Sequence, residues 1–104
     1  MNIIKQLNGT TCEIRLEGRL DTITAPQLEK ELQALFRDGE FAQMTALTFD
    51  FEKLAYISSA GLRVILMTQK QINRKRGKMT IKNVNEIVME VFEVTGFTDI
   101  LTIE

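Results

Sequence analysis

Two adjacent hydroxyls, Ser58 and Ser59, stand in the run Tyr56-Ile57-Ser58-Ser59-Ala60-Gly61-Leu62-Arg63-Val64-Ile65-Leu66. The run reads as the entry into an amphipathic helix. A serine at that place can accept a hydrogen bond from a free backbone N–H and cap the helix. It can also carry a phosphate, because the unpaired amides and the positive end of the helix dipole favour an anion. A cap needs one hydroxyl, and here there are two. Ala60 and Gly61 leave the approach to them uncrowded. Glycine in a first turn costs up to ~1 kcal/mol against alanine, which points to a close backbone approach at Gly61. A phosphate on Ser59 would add about −1.5 to −2 charge, and the helix end would tolerate it. Such a modification is expected to act on whatever docks there rather than to unfold the chain. Capping and phosphorylation both stand as readings of these two residues.

Conventional catalysis has little to build on. The sequence contains no histidine, which removes the commonest general base and the serine–histidine pair. A hydrolase using Ser58 or Ser59 would need another base, such as a lysine, and no residue is singled out for it. Cys12 is the single cysteine, so an internal disulfide and a cysteine-built metal site are excluded, and the residue is expected to fill core space. No Gly-rich phosphate loop is present. The expectation is a protein that is not an enzyme and that uses no cofactor or metal. A net charge of −1 argues against nucleic acid as a partner. The basic cluster Arg74-Lys75-Arg76 fits the charged end of a helix. No apolar run approaches the roughly 20 residues of a membrane span, and Met1-Asn2-Ile3-Ile4-Lys5 lacks the apolar region of a signal peptide. No membrane partner and a cytoplasmic location are therefore expected. At 104 residues the length is that of one domain, 1–104.

Strands and helices alternate along the chain. Cys12, Ile14 and Leu16 fall on one face of a strand over Thr11 to Gly18, with Glu13, Arg15 and Glu17 on the other. A short strand near Asn2 to Gln6 is expected to pair with it through a turn at Asn8-Gly9. Thr24, Pro26 and Gln27 have the spacing of a helix start with a capping box. Leu28, Leu32, Leu35 and Phe36 then share one helical face, and Asp38-Gly39 ends the helix. Leu47 and Phe49 mark a strand over Ala46 to Asp50. The helix from Ser59 follows, with Leu62, Ile65, Leu66, Gln69 and Ile72 along one stripe and Gly77 expected at C′. Met79 and Ile81 mark a strand with Lys78, Thr80 and Lys82 outward. Asn85 can cap a third helix through Ile87, Val88, Val91 and Phe92 that stops at Gly96, and Ile100 to Ile103 reads as a last short strand. The strands alternate instead of being solidly apolar, so helices are expected on one face of the sheet only. The hairpin and the crossovers together predict an α/β fold with a mixed sheet.

Four blocks make the chain resemble the STAS domains of the anti-sigma factor antagonist (anti-anti-sigma factor) group of bacteria. They are Leu16-Glu17-Gly18-Arg19-Leu20-Asp21 with Ala25-Pro26; Leu47-Thr48-Phe49-Asp50-Phe51-Glu52-Lys53-Leu54; Ser58-Ser59-Ala60-Gly61-Leu62; and Val91-Phe92-Glu93-Val94-Thr95-Gly96-Phe97-Thr98-Asp99-Ile100. They are similar, in order, to the family's Gly-x-Leu/Ile-Asp loop, its central strand, its phosphorylation motif and its Leu-Phe-x-x-x-Gly-Leu ending. The resemblance implies a STAS fold with a mixed, mostly parallel sheet of four to five strands. It also implies partner switching. The unphosphorylated protein binds an anti-sigma factor that is a serine kinase, which frees the sigma factor for transcription. The kinase phosphorylates a serine at the start of the second helix, binding is lost, and a PP2C-type phosphatase restores it.

The motif departs from the family pattern Asp-Ser-Ser/Thr-Gly-Leu-Gly. Alignment on Gly61-Leu62 puts Ser58 at the aspartate, Ser59 at the phosphorylated serine, Ala60 at the second hydroxyl and Arg63 at the second glycine. Ser59 is thus the expected acceptor, ahead of Ser58. Arg63 either pairs with a phosphate or is a solvated helix residue. Asp21 is placed by the resemblance where the kinase binds, while its residue type alone also suits a turn or cap. The expected docking surface comprises Asp21, Thr22, Ser58, Ser59, Gly61 and Arg63, with Thr22 to Ala25 lining it. The family also carries a further C-terminal helix, and with Glu104 as last residue the third helix is expected to take over part of its packing. The other reading is a STAS scaffold or regulatory module without phosphorylation or sigma-factor output. A third is a small-ligand or nucleotide-binding domain.

Overall fold

A computed structural model describes residues 1–104. The chain opens with a hairpin of β1 (Asn2–Asn8) and β2 (Thr11–Leu20). Asn8 pairs with Thr11, so the tight turn is Gly9-Thr10, one residue later than the Asn-Gly pair suggests. Gly9 sits at φ +65°, where glycine carries no steric cost. Helix α1 (Ala25–Arg37) and a short 3₁₀ turn at Gly39–Gln43 follow. The chain then forms β3 (Ala46–Ile57), α2 (Ser59–Arg74), β4 (Lys78–Lys82) and α3 (Glu86–Val94). The sheet order is β1-β2-β3-β4, antiparallel at β1/β2 and parallel at β2/β3 and β3/β4. The expected fifth strand at Ile100–Ile103 is reduced to one parallel bridge from Ile103 to Ile81, after a 3₁₀ turn at Phe97–Asp99.

One face of the sheet carries the core. Cys12, Ile14 and Leu16 of β2 and Leu47, Phe49 and Phe51 of β3 are buried in a cluster with Leu28, Leu32, Ile65 and Phe92 of the helices. The Phe51 ring stands 5.7 Å from Phe49 on its own strand and 6.4 Å from Phe92 on α3, which places α3 on this face. The opposite face is a polar ladder. Lys82 Nζ lies 3.1 Å from Glu13 Oε2, and Arg15 lies 3.8 Å from both Glu13 and Asp50. Burial alone would push the Asp50 carboxyl up. The Asn83 amide, the Glu52 N–H, Lys82 and Arg15 outweigh it and hold the group below its ordinary value. Thr80 points to this side as expected but is only 7% exposed. It is enclosed by Thr48 on one flank and by the 102–104 segment hydrogen-bonded alongside β4 on the other.

Three local expectations are corrected. The strand expected to end at Asp50 runs on to Ile57, with the ladder slipping register between Arg15 and Glu17 and again between Gly18 and Arg19. Buried residues therefore shift from a spacing of two (Leu47, Phe49, Phe51) to one of three (Leu54, Ile57), which hides the strand's period. Thr24 stands at the N-cap of α1 but its side chain makes no cap bond: its hydroxyl donates to the Arg19 carbonyl at 2.7 Å and accepts the Asp21 N–H at 2.9 Å. Gln27 reaches the Met1 carbonyl instead of closing a capping box. At the end of α2 the left-handed C′ residue is Arg76, at φ +60°, not Gly77. The Arg76 N–H bonds the Asn73 carbonyl and the Gly77 N–H bonds the Ile72 carbonyl, both at 3.0 Å, which is a Schellman closure. Gly77 sits in a tight place, where a β-carbon would come within 3.1 Å of the Thr45 carbonyl oxygen.

The left-handed arginine is a stability cost that glycine would remove. Arg76→Gly is expected to raise unfolding free energy by about 1 kcal/mol, read as a higher urea midpoint at unchanged slope. A lower midpoint would show that the Arg76 side chain contributes more than its backbone costs.

Candidate functional site

The site forms where the parallel strands β2 and β3 both end. Ile57 pairs with Leu20, and the Ser58 N–H continues the ladder by donating to the Leu20 carbonyl at 2.9 Å. The chain turns there into α2. Ser58 keeps extended backbone angles, its carbonyl accepts the first helical bond from Leu62 at 2.9 Å, and its Oγ accepts the Gly61 N–H at 3.3 Å. Ser58 is thus the N-cap. Ser59 is the first residue of the helix and is exposed, and its hydroxyl takes no part in the cap. The two readings of the serine pair divide between its members. One hydroxyl holds the helix, and the neighbouring one projects from the positive helix end with no structural duty.

Gly61 explains why the helix starts here. It is buried, and a β-carbon on it would meet Leu20 Cγ at 2.6 Å and Ile57 Cγ1 at 3.0 Å. Its missing side chain lets the first turn of α2 press onto the ends of β2 and β3. This corrects the expectation that Gly61 belongs to the docking surface, because its open side faces the core.

Asp21 organises the loop after β2. Its Oδ1 accepts the Ile23 and Thr24 N–H groups, each at 3.0 Å, and its carbonyl accepts the Ala25 N–H at 2.8 Å. The Thr24 N–H holds the carboxyl below its ordinary value, helped by the Ile23 N–H, the Thr24 hydroxyl and Arg19, against a desolvation that raises it. The stabilisation from this group is therefore complete above the ordinary carboxylate range and is lost as pH falls through the lowered value. The turn-forming reading of Asp21 holds, and about a quarter of its side chain, 28%, is still accessible. Thr22 and Ile23 are exposed at the loop tip, Ile23 at 86%. Thr24 is half-buried and occupied by the loop. Ala25, the first residue of α1, is buried, which corrects its expected place on the surface.

Arg63, one turn along α2, is 74% exposed and lies 3.8 Å from Glu29 of α1. Beyond it, Lys70 and Arg74 continue a basic stripe around a shallow depression of about 200 Å³ floored by Leu66 and Met67. Ser58, Ser59, the Asp21 loop and Arg63 therefore gather at one end of the molecule. Two neighbours escaped sequence reasoning. Glu29 reads as an ordinary polar position on α1, and Arg19 stacks on Tyr56 at 4.3 Å from the ring centroid. Neither residue type announces a partner on another element.

The STAS domain family profile matches residues 2–104. The chain belongs to the STAS domain family. BtrV of Bordetella bronchiseptica, named as an anti-sigma factor antagonist, is 39% identical over 85% of this chain and 72% of its own length. The anti-sigma-B factor antagonist of Bacillus subtilis is 26% identical over 99% of this chain and 90% of its own. Among solved structures, the anti-sigma factor antagonist SpoIIAA shares the α/β fold in two states. Its unphosphorylated form gives a TM-score of 0.82 at 21% identity over 99% of this chain and 88% of that one. Its phosphorylated form gives 0.74 at 20% identity over 99% and 91%. No helix of this STAS domain is long and apolar enough to cross a membrane.

The split between the serines has a thermodynamic signature. Ser58→Ala is expected to lower unfolding free energy by about 1 kcal/mol. Ser59→Ala is expected to change it by less than about 0.5 kcal/mol. Urea unfolding of the two variants reads both values, and equal losses would contradict the assignment.

Proposed function

We propose that this chain is an anti-sigma factor antagonist whose acceptor and switch is Ser59. In the unphosphorylated state it binds an anti-sigma factor that is also a serine kinase, and so releases sigma-factor-dependent transcription. Phosphorylation of Ser59 ends that binding, and a PP2C-type phosphatase restores it. The observation that carries this reading is the free, exposed hydroxyl of Ser59 beside the engaged hydroxyl of Ser58. A phosphate added there meets the helix dipole and unfilled amides, so the fold tolerates it. The names of the relatives support the same class of partner.

The docking surface in this reading is built from Asp21, Thr22, Ser58, Ser59 and Arg63, with Ile23 as an exposed apolar contact. Large, exposed apolar residues beside a polar rim are what a partner covers. The basic stripe Arg63, Lys70 and Arg74 favours an acidic counter-surface and faster encounter. The chain acts by binding rather than by catalysis and works in the cytoplasm. A phosphate changes this surface by charge and bulk. The alternative is a STAS scaffold without phosphorylation, favoured by the replacement of the family's aspartate by Ser58 and of its second glycine by Arg63.

Affinity capture from the native lysate with Ser59→Ala and Ser59→Asp baits, compared by quantitative mass spectrometry, separates the two. An ATPase-type serine kinase retained by the alanine bait and lost from the aspartate bait is the expected result. The same proteins on both baits, in equal amount, would favour the scaffold.

A further inference from the structure

Arg63 stands four residues beyond Ser59 on α2, so the two side chains share one helix face with β-carbons about 5–6 Å apart. The arginine already has a partner. Its Nη2 lies 3.8 Å from Glu29 Oε1 on α1, with the two side chains 74% and 36% exposed. An ion pair that long and that exposed holds weakly. The other charges at this end of the sheet are more firmly engaged. Asp21 is filled by the Ile23 and Thr24 amides, and Arg19 lies against both Asp21 and the Tyr56 ring. Arg63 is the cation one turn from Ser59 on α2, and a single long contact holds it.

We propose that Arg63 exchanges partners on modification: it pairs with Glu29 while Ser59 is free and turns to the phosphate when Ser59 is phosphorylated. The inference rests on the phosphorylation of Ser59 proposed above. A phosphate carries about −1.5 to −2 charge at neutral pH against the single charge of a carboxylate, and it offers three acceptor oxygens to the forked guanidinium. The acidic group also precedes the basic one along the helix, the favourable order for an i, i+4 pair. The exchange alters two places at once. The cation at position 63 is drawn toward Ser59 and neutralised, and Glu29 on α1 is left as a bare carboxylate. A partner that uses Arg63 on the unmodified surface therefore loses that cation in addition to meeting the phosphate.

The test places phosphoserine at position 59 during synthesis, so that no kinase is needed. The phosphate is titrated by ³¹P NMR, with and without Arg63→Gln. The second phosphate pKa, roughly 6 when unperturbed, is expected to lie about 0.3 unit lower with Arg63 present than with glutamine there. The Arg63 Nε–H signal gives a second readout. In the unmodified protein Glu29→Gln is expected to move that signal, and in the phosphorylated protein it is expected to leave it in place. Equal phosphate pKa values, or an Arg63 signal that follows Glu29 in both states, would overturn the exchange. A lysate that yields no kinase would leave these results untouched, so failure of the wider reading is distinguishable.

Discussion

The close approach of α2 to the ends of β2 and β3 is the constraint on which the rest of the site depends. Gly61 has no β-carbon, and only without one can the first helical turn sit against Leu20 and Ile57. That contact fixes where the helix begins. Ser58 then falls at the cap, with its N–H on the Leu20 carbonyl and its hydroxyl on the Gly61 N–H. Ser59 falls one residue inside and outward. A helix that began one residue later would make Ser59 the cap and leave Ser58 outside the helix. The same contact brings the Asp21 loop beside the acceptor, because Leu20 ends β2 at the point where Ile57 ends β3.

The two faces of the sheet have separate tasks. The helix side holds the core. The opposite side satisfies its own charges across strands, with Glu13 shared by Arg15 and Lys82, and Asp50 held by Asn83 and Arg15. The Lys82 ammonium is held above its ordinary value by its hydrogen bond to Glu13 and by the charge of that carboxylate. The partly exposed pairs of Glu13 add little stability each, whereas the buried Asp50 carboxylate needs its partners. The combined effect is to leave few unmatched charges on the open face. A stripe of positive charge lies along α2, where Arg63, weakly paired with Glu29, is followed by Lys70 and Arg74 running away from Ser59. A binding surface at the end of the strands is thus continuous with a charged helix face and separate from the sheet's open side.

Much of this was legible in the sequence. The hairpin, three helices, one-sided packing and the Asn85 cap, whose side chain accepts the Val88 N–H at 2.8 Å, all follow from period and cap chemistry. What stayed hidden depended on partners far along the chain. Asp50 reads as a strand end, yet its carboxylate is satisfied by Asn83, 33 positions away, and β3 continues. Thr24 and Gln27 have capping-box spacing, but Asp21 captures the Thr24 N–H and draws its hydroxyl into the loop. The Gly61 motif was visible and its direction was not, since only the packed fold shows that its bare side faces Leu20. The identity of the cap was hidden for the same reason: two serines are chemically equal until the strand's end decides which one turns the corner. Glu29 gave no signal, because an ion pair between helices leaves no pattern within either helix.

The central claim is that Ser58 is structural and Ser59 is the chemical acceptor. Peptide mapping by tandem mass spectrometry of the protein isolated from its native cells tests it most directly. The account predicts a phosphorylated fraction with the phosphate on Ser59 and none on Ser58. Phosphate on Ser58, or a protein unmodified under every growth condition, would contradict it.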